Sequence, residues 1–461
     1  MSSHQTQYDK MTKTPVSKLI LKLAFPSICT MLVSNIYNLA DTAFVGSLGN
    51  SASGAVGIVF GFMALLQAIG FLFGQGCGSM LSRKLGQQDE REAGIIASVG
   101  FFTAFFLALV AEAICFLCLD DLVFWLGSTA TIAPYAKTYI FYVLLASPFV
   151  VTSFTMNNIL RYEGKSMLGM IGMMTGAVLN IAGDAVLMFG FHLGIAGAGI
   201  STAVSQLVSF LILLSMFLTG RTQSKLSLRM ALTQGKGVVQ AAYFRYLYDV
   251  TSTGFPSLLR QGLNSVATVI LNKQAGAYGD EAVAAMSIVS RIVFFVFSIA
   301  IGIGQGFQPV SAFNYGAKKY GRVQKAYWFS FWFAEGLMVI LCTLLMIFSG
   351  GLIQQFRDDA LVIEIGTRAL RLHGIGVLFL PFCMVTEMMM QSTGHKLGAT
   401  ILSASRSGFI FIPCLLILSA LRGLAGIQEA QLVAFVLSVI PAAVLAVYFF
   451  RHMPKEDQEI S

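Results

Sequence analysis

Charged side chains are scarce in this sequence. Only 11% of its 461 residues are Asp, Glu, Lys or Arg, while 56% are hydrophobic; soluble proteins carry about 25% charged residues. Mean hydropathy is +0.75. A chain this long has too little polar surface to cover itself in water, so lipid is its solvent. Catalytic motifs are missing too. There is no Ser/His/Asp set and no His-Glu-x-x-His pair. Gly164-Lys165-Ser166 has the ending of a phosphate-binding loop, but Ile159 stands where that loop needs its first glycine. His4, His192, His395 and His452 fall in expected tails or loops, and His373 stands alone. A membrane-embedded enzyme would need a catalytic set near an interface, so no enzyme is expected. The seven cysteines all lie in apolar segments, and Cys115 and Cys118 lack a second pair for zinc. They read as small buried apolar residues. No cofactor is implied. The first residues lack the apolar core and cleavage site of a secretory signal, so 1–16 reads as a cytosolic tail.

What the sequence has is apolar runs near 20 residues from end to end. The spans read roughly 18–46, 51–82, 94–119, 131–158, 166–189, 194–219, 244–275, 280–312, 322–348, 362–390, 397–419 and 424–450. Positive residues cluster at alternate loops. Lys10, Lys13, Lys18 and Lys22 precede the first span, Arg83, Lys84 and Arg91 follow the second, and Arg161 and Lys165 follow the fourth. Arg221, Lys225, Arg229, Lys236 and Arg245 follow the sixth, Lys318, Lys319, Arg322 and Lys325 the eighth, Lys396 the tenth, and Arg451 and Lys455 lie in the tail. The intervening loops are poor in Lys and Arg or acidic, as at Asp120, Asp121, Asp280, Glu281, Asp358 and Asp359. Lysine- and arginine-rich loops stay in the cytoplasm. Both termini and the polar linker are therefore expected there, in a bacterial cytoplasmic membrane. The net charge of +8 is a topology signal, and no nucleic-acid partner is expected.

The sequence repeats itself. Phe25-Pro26-Ser27 aligns with Phe255-Pro256-Ser257, an offset of 230 positions. Without a gap, Gly46 falls on Gly276, Gly49 on Gly279, Gly74-Gln75-Gly76 on Gly304-Gln305-Gly306, Gly86 on Gly316 and Gly164 on Gly394. Each half holds six spans and so inserts the same way up, related by a pseudo-two-fold along the membrane normal. The expected architecture is an all-α integral membrane protein of twelve transmembrane helices in two pseudo-symmetric six-helix lobes. The divisions are a tail (1–16), an N-lobe (17–219), a linker (220–243), a C-lobe (244–450) and a tail (451–461). A proline inside the first helix of each half, Pro26 and Pro256, removes a backbone hydrogen bond and kinks the helix. Gly70, Gly74 and Gly78 form a smooth stripe for close helix contact.

A carboxylate in hydrocarbon costs about 2.5–3.5 kcal/mol on insertion scales, so each one needs a reason. Asp41 and Asp184 each lie about five residues from the outer end of a span. Asn180 is one turn from Asp184, Tyr37 one turn inward of Asp41, and Thr202 enters on the sixth helix. Two carboxylates, an amide oxygen and a hydroxyl suit a small hard cation. Alternatively, two carboxylates close together in low dielectric cannot easily both stay ionised, which suits a proton. A structural hydrogen-bond cluster is the third reading. At the offset of 230, Asp41 maps onto Leu271, Asn180 onto Ile410 and Asp184 onto Cys414, so this chemistry belongs to the first half alone. Conversely Asn157 maps onto Glu387, and Arg260, Arg291 and Arg406 lie near spans of the second half. Glu387 could pair with one of these arginines, or face the cleft and bind cationic substrates. Methionines at 167, 170, 173, 174, 384 and 388–390, among them Met174 and Met388, are core filling or the lining of a permissive apolar pocket.

These residues resemble one family, the multidrug and toxic compound extrusion (MATE) transporters, in their prokaryotic DinF-like branch. The likeness covers essentially the whole chain. It rests on Pro26, the run Tyr37-Asn38-Leu39-Ala40-Asp41 with Gly46, Leu160-Arg161-Tyr162-Glu163-Gly164, Leu179-Asn180-Ile181 through Asp184, and Gly194 to Gly199 with Thr202. The resemblance implies a V-shaped pair of lobes and export of small organic, often cationic, compounds by alternating access, driven by inward Na⁺ or H⁺. It implies a cation site at Asp41, Asn180, Asp184 and Thr202, with Tyr37 and Asn157 nearby, in a chain acting as a monomer. Departures are visible. Tyr162 replaces a glycine, Gln261 and Asn264 occupy a stretch where another branch carries carboxylates, and Glu387 is not an expected residue. Gln261, Asn264, Glu387, Met174 and Met388 are the candidate substrate contacts. A lipid-linked oligosaccharide flippase of the same superfamily is the alternative reading. The orientation is testable with fusions after residue 461: a fluorescent reporter should light up in the cytosol and alkaline phosphatase should stay inactive. The reverse pattern would invert the topology.

Overall fold

A computed structural model describes residues 3–232, 239–454 and 457. The middle of the expected linker (233–238, with Lys236) and the tail positions 1–2, 455–456 and 458–461 lie outside the described residues. Along the chain come a short helix, Ser3–Lys13 (α1), then Val16–Gly46 (α2), Asn50–Gly86 (α3), Glu90–Leu117 (α4) and a short outer helix Leu119–Trp125 (α5). Ala133–Tyr162 (α6) follows, then Ser166–Asp184 (α7) with a π-helical turn at Ala185–Gly190, Gly194–Leu218 (α8) and the short Leu228–Leu232 (α9). The second half runs Val239–Gly276 (α10), Asp280–Gly316 (α11), Tyr320–Ile347 (α12), Ser349–Phe356 (α13), Ala360–Val377 (α14) and Leu380–Thr393 (α15). It ends with Lys396–Ala404 (α16), a π-helical turn at Ser405–Phe409, Phe411–Arg422 (α17) and Leu424–His452 (α18). No strand occurs among the described residues, as hydrocarbon demands of a chain whose backbone bonds must close internally.

Ten helices among the described residues are long and apolar enough to cross a membrane. The pair α14 and α15, bent by 48° between Val377 and Leu380, is long and apolar enough to be a broken eleventh span or a re-entrant loop. The seventh expected span falls on α10. Its 38 residues reach about 57 Å at 1.5 Å per residue, but Arg245, Asp249, Arg260 and Lys273 make it more polar than its neighbours.

The repeat is visible in the backbone. Gly49 and Gly279 take φ of 116° and 102°, and Gly164 and Gly394 take 77° and 91°. These matched positions need a left-handed backbone that side chains disfavour. Gln88 and Lys318, again 230 apart, both reach positive φ at the same helix end.

The chain packs into two compact units. One comprises Met1–Lys10 and Cys29–Leu258, the other Met11–Ile28 and Leu259–Ser461. Packing units and repeat halves therefore differ. In each half the first long helix changes unit two residues after its proline, Pro26 or Pro256. Glycine contacts explain the assignment. In the first unit, a Cβ on Gly254 of α10 would overlap the carbonyl of Leu72, and one on Gly76 the carbonyl of Val250. In the second unit, Gly306 of α11 lies on the Ala24 backbone and Gly302 on Ile28. Gly76 and Gly306 are repeat-related, so the same close contact recurs in both units.

Within the first unit α6 is central, touching α3, α4, α7 and α8. The Gly70, Gly74 and Gly78 stripe faces Phe154, Asn158 and Tyr162, matching residues four apart on one helix to residues four apart on the other. In the second unit α11 packs on α12, α14 and α15. Met388 is buried against Gly304 there. A substitution pair on α10 tests the glycine contact. Gly254→Ala should lower the melting temperature in detergent through overpacking that costs about 1–3 kcal/mol. Gly262→Ala, with nothing within 4 Å, should leave it unchanged or raised.

Candidate cation and substrate site

Asp41 sits near the C-terminal end of α2 and Asp184 ends α7, where the helix widens into its π-helical turn. Such turns displace a residue and recur at functional sites. Asp41 and Asp184 are 8% and 0% exposed, and Asp184 lies within electrostatic range of Asp41. Tyr37, one turn inward on α2, lies within the field of both. No lysine, arginine or histidine pairs with either carboxylate among the described residues.

The hydrogen bonds leave oxygen atoms over. Tyr139 of α6 donates its hydroxyl to Asp41 Oδ2 at 3.1 Å. Asn180 Nδ2 donates to Thr202 Oγ1 at 3.2 Å and to Ser201 Oγ at 3.4 Å, and Ser201 Oγ donates back to the Asn180 carbonyl at 2.9 Å. That arrangement turns the Asn180 amide nitrogen toward α8 and leaves its oxygen free. Asp41 Oδ1, Asn180 Oδ1 and both Asp184 oxygens are buried with no donor in hydrogen-bond geometry among the described residues, although the Ser201 hydroxyl lies near Asp184. Buried acceptors left unpaired cost about 1–3 kcal/mol each, more when charged, so four in one place need a positive partner or a proton. The donor set is mixed; no cluster of three or more His, Cys, Asp and Glu residues is found among the described residues. Two carboxylates, an amide oxygen and a nearby hydroxyl fit Na⁺ by ligand chemistry, and two adjacent carboxyls fit a proton equally well.

A cavity adjoins this group. Its lining includes Tyr37 and Asn180 together with Ser34, Gln67, Met173 and Gln206. Its free volume of about 20 Å³ admits a water or a small ion and not an organic drug. Of the methionines, Met173 lines it, and Met174 is half-buried beside it in sequence.

Asp41, Asn180, Asp184, Thr202 and Tyr37 are thus brought together. Asn157 is not. It lies 18 residues beyond Tyr139 on α6, about 27 Å along the axis, with its side chain against Gly169. Tyr139 and Ser201 join the group unforeseen. A tyrosine near the outer end of a span reads from sequence as an interfacial anchor, and only depth matched to Asp41 hints at more.

In the second unit Glu387 forms a buried ion pair. Its Oε1 accepts from Arg260 Nη1 at 2.8 Å and from Ser403 Oγ at 2.6 Å, and its Oε2 faces Arg406 Nη2 at 3.8 Å. Glu387 is 1% exposed, so it presents no free carboxylate to a cationic substrate. Arg291 is exposed and outside this group. Gln261 is half-buried and Asn264 exposed, both on α10 beyond Arg260.

Comparisons with known proteins give the family and the fold. The MatE family model matches twice, over residues 26–186 and 256–417. Both matches begin at the repeat-related prolines. The chain belongs to the MatE family. This MatE member is therefore a multi-span membrane transporter. It is 30% identical over 464 residues to the multidrug export protein MepA of Staphylococcus aureus strain N315, spanning 98% of this chain and 97% of that one. The MepA of Staphylococcus saprophyticus is 29% identical over the same shares. In fold it matches an outward-facing multidrug resistance MATE family transporter with a TM-score of 0.89 at 23% identity, covering 96% of this chain and 98% of the other. The Vibrio cholerae MATE transporter VcmN, as its D35N mutant, matches at 0.87 and 20%, covering 97% and 98%.

The Glu387 cluster makes an asymmetric prediction about stability in this MatE protein. Glu387→Ala strands two buried arginines and should destabilise by about 3–5 kcal/mol. Arg406→Gln leaves the Arg260–Glu387 pair intact and should cost far less, measured by thermal unfolding in detergent.

Proposed function

We propose that this protein is a secondary antiporter that exports small organic, largely cationic compounds in exchange for inward Na⁺ or H⁺. The observation that carries the reading is the set of four buried oxygens at Asp41, Asn180 and Asp184 with no donor in hydrogen-bond geometry among the described residues. Unpaired buried acceptors are costly to leave empty, so a positive species, Na⁺ or a proton, occupies them in this reading. The MepA relatives, named as multidrug exporters, support the direction and breadth of transport. One monovalent cation moving inward across the membrane yields about 2.3 kcal/mol per 100 mV. That energy reaches the drug only if site occupancy favours one access state over the other, since equal affinity couples nothing.

Asp41 and Asp184 hold the cation in this scheme. Asn180 and Thr202 complete its oxygen shell, and Tyr139 orients Asp41 while leaving Oδ1 for the ion. Tyr37 and the adjoining polar cavity link the ion to the space a substrate would enter. The alternating Lys/Arg loops support a cytoplasmic-membrane protein with both termini in the cytosol, and the drug leaves on the side where Asp41 and Asp184 lie. The test is ethidium efflux from proteoliposomes with Na⁺ and pH gradients imposed separately. Asp41→Asn and Asp184→Asn should each reduce gradient-driven efflux at least tenfold while leaving the fold intact. Undiminished efflux in both would remove the coupling reading.

A further inference from the structure

The two units differ in charge at repeat-related places. In the first unit the cavity is lined by Gln67 of α3 and Gly176 of α7, among others. At the offset of 230 these positions become Phe297 and Arg406. In the second unit the Arg406 guanidinium lies over the Phe297 ring, 5.1 Å from its centroid, a favourable cation–π placement. Where the first unit has small and neutral side chains, the second has a buried cation.

That cation is under-served. Arg260 and Arg406 share one carboxylate, so two positive charges face one negative charge. Glu387 gives its short contacts to Arg260 and Ser403, at 2.8 and 2.6 Å. Arg406 reaches only 3.8 Å from Glu387 Oε2, beyond hydrogen-bond distance. Its Nη1 is buried with no hydrogen-bond partner among the described residues. Arg406 sits on the π-helical turn Ser405–Phe409, whose extra residue aims its side chain out of the regular helical register. Arg260 and Arg406 are buried, at 7% and 4% exposure, and the half-buried Phe297, together with Gln261 and Ser407, each next in sequence to one of the arginines and also half-buried, marks the side from which they could be reached.

We propose that Arg406, backed by Arg260 and floored by Phe297, forms an anion-accepting subsite in the second unit. It takes a single carboxylate or sulfonate on an aromatic compound, as in an organic anion or the negative end of a zwitterion. The guanidinium fork supplies two N–H groups in the geometry a carboxylate accepts, and Phe297 supplies an apolar face for the ring. The proposal concerns the second unit alone and stands whether or not the first unit couples to a cation.

The test uses the full chain in detergent micelles with dansylglycine as probe, its methyl ester as the uncharged control, and Arg406→Gln in the same micelles. The free acid should bind at least tenfold more tightly than the ester to the unaltered protein, and Arg406→Gln should abolish that preference. Equal binding of acid and ester, or a preference that survives Arg406→Gln, would overturn the proposal. If Arg406→Gln fails to fold, Arg406→Lys decides. It keeps the charge without the fork, so the acid should bind several-fold more weakly yet still better than the ester. Unchanged affinity for the acid would overturn the subsite.

Discussion

A carboxylate surrounded by hydrocarbon and packed helices must be neutralised, and the rest of this molecule is arranged around how that happens. Among the described residues Asp41 and Asp184 have no basic partner, so neither belongs to an ion pair there. Tyr139, Thr202 and Ser201 satisfy only part of the polar group they surround. Elsewhere in the chain the same difficulty has a different answer. Glu387 is closed off by two arginines and a serine, and Glu163 accepts the backbone N–H groups of Gln223 and Ser224 at 2.9 and 2.8 Å with Lys165 beside it. Those carboxylates have donors or cations beside them in this structure. The pair in the first unit is left available.

The second theme is one backbone plan carrying two chemistries. The repeat preserves what geometry requires: the prolines at 26 and 256, the left-handed glycines, and the glycine contacts that seat a half-helix on each unit. It does not preserve charge. Both fifth spans contain a π-helical turn, one following Asp184 and one containing Arg406. Widening the helix beside a buried charge frees backbone and side chain from strict register, and each half has used that freedom for a charge of opposite sign.

Much of this was legible in the sequence. Apolar runs and alternating Lys/Arg loops define the spans because a bilayer tolerates little else. The offset of 230 is readable because turn glycines and helix-contact glycines cannot be replaced without strain. Asp41, Asn180, Asp184, Thr202 and Tyr37 were readable as one group because polar atoms at matched depth in lipid seek each other. Other features were not legible. Asn157 shares a helix with Tyr139 but sits too far along it to reach Asp41, and residue type alone carries no depth. The exchange of half-helices between units depends on backbone approach at Gly76, Gly254, Gly302 and Gly306, which a sequence shows only as glycines. Which arginine would meet Glu387 was also open, because Arg260, Arg291 and Arg406 are equal candidates until the helices are packed.

The central claim is that the Asp41/Asp184 group binds a positive ion whose occupancy opposes that of the substrate. The most direct measurement is ion release on substrate binding. Purified protein in weakly buffered detergent solution is titrated with tetraphenylphosphonium while a pH indicator follows H⁺ and, in parallel, equilibrium dialysis follows bound ²²Na⁺. The account predicts stoichiometric loss of one of the two ions as the organic cation binds. Saturating substrate binding with neither ion released would contradict it.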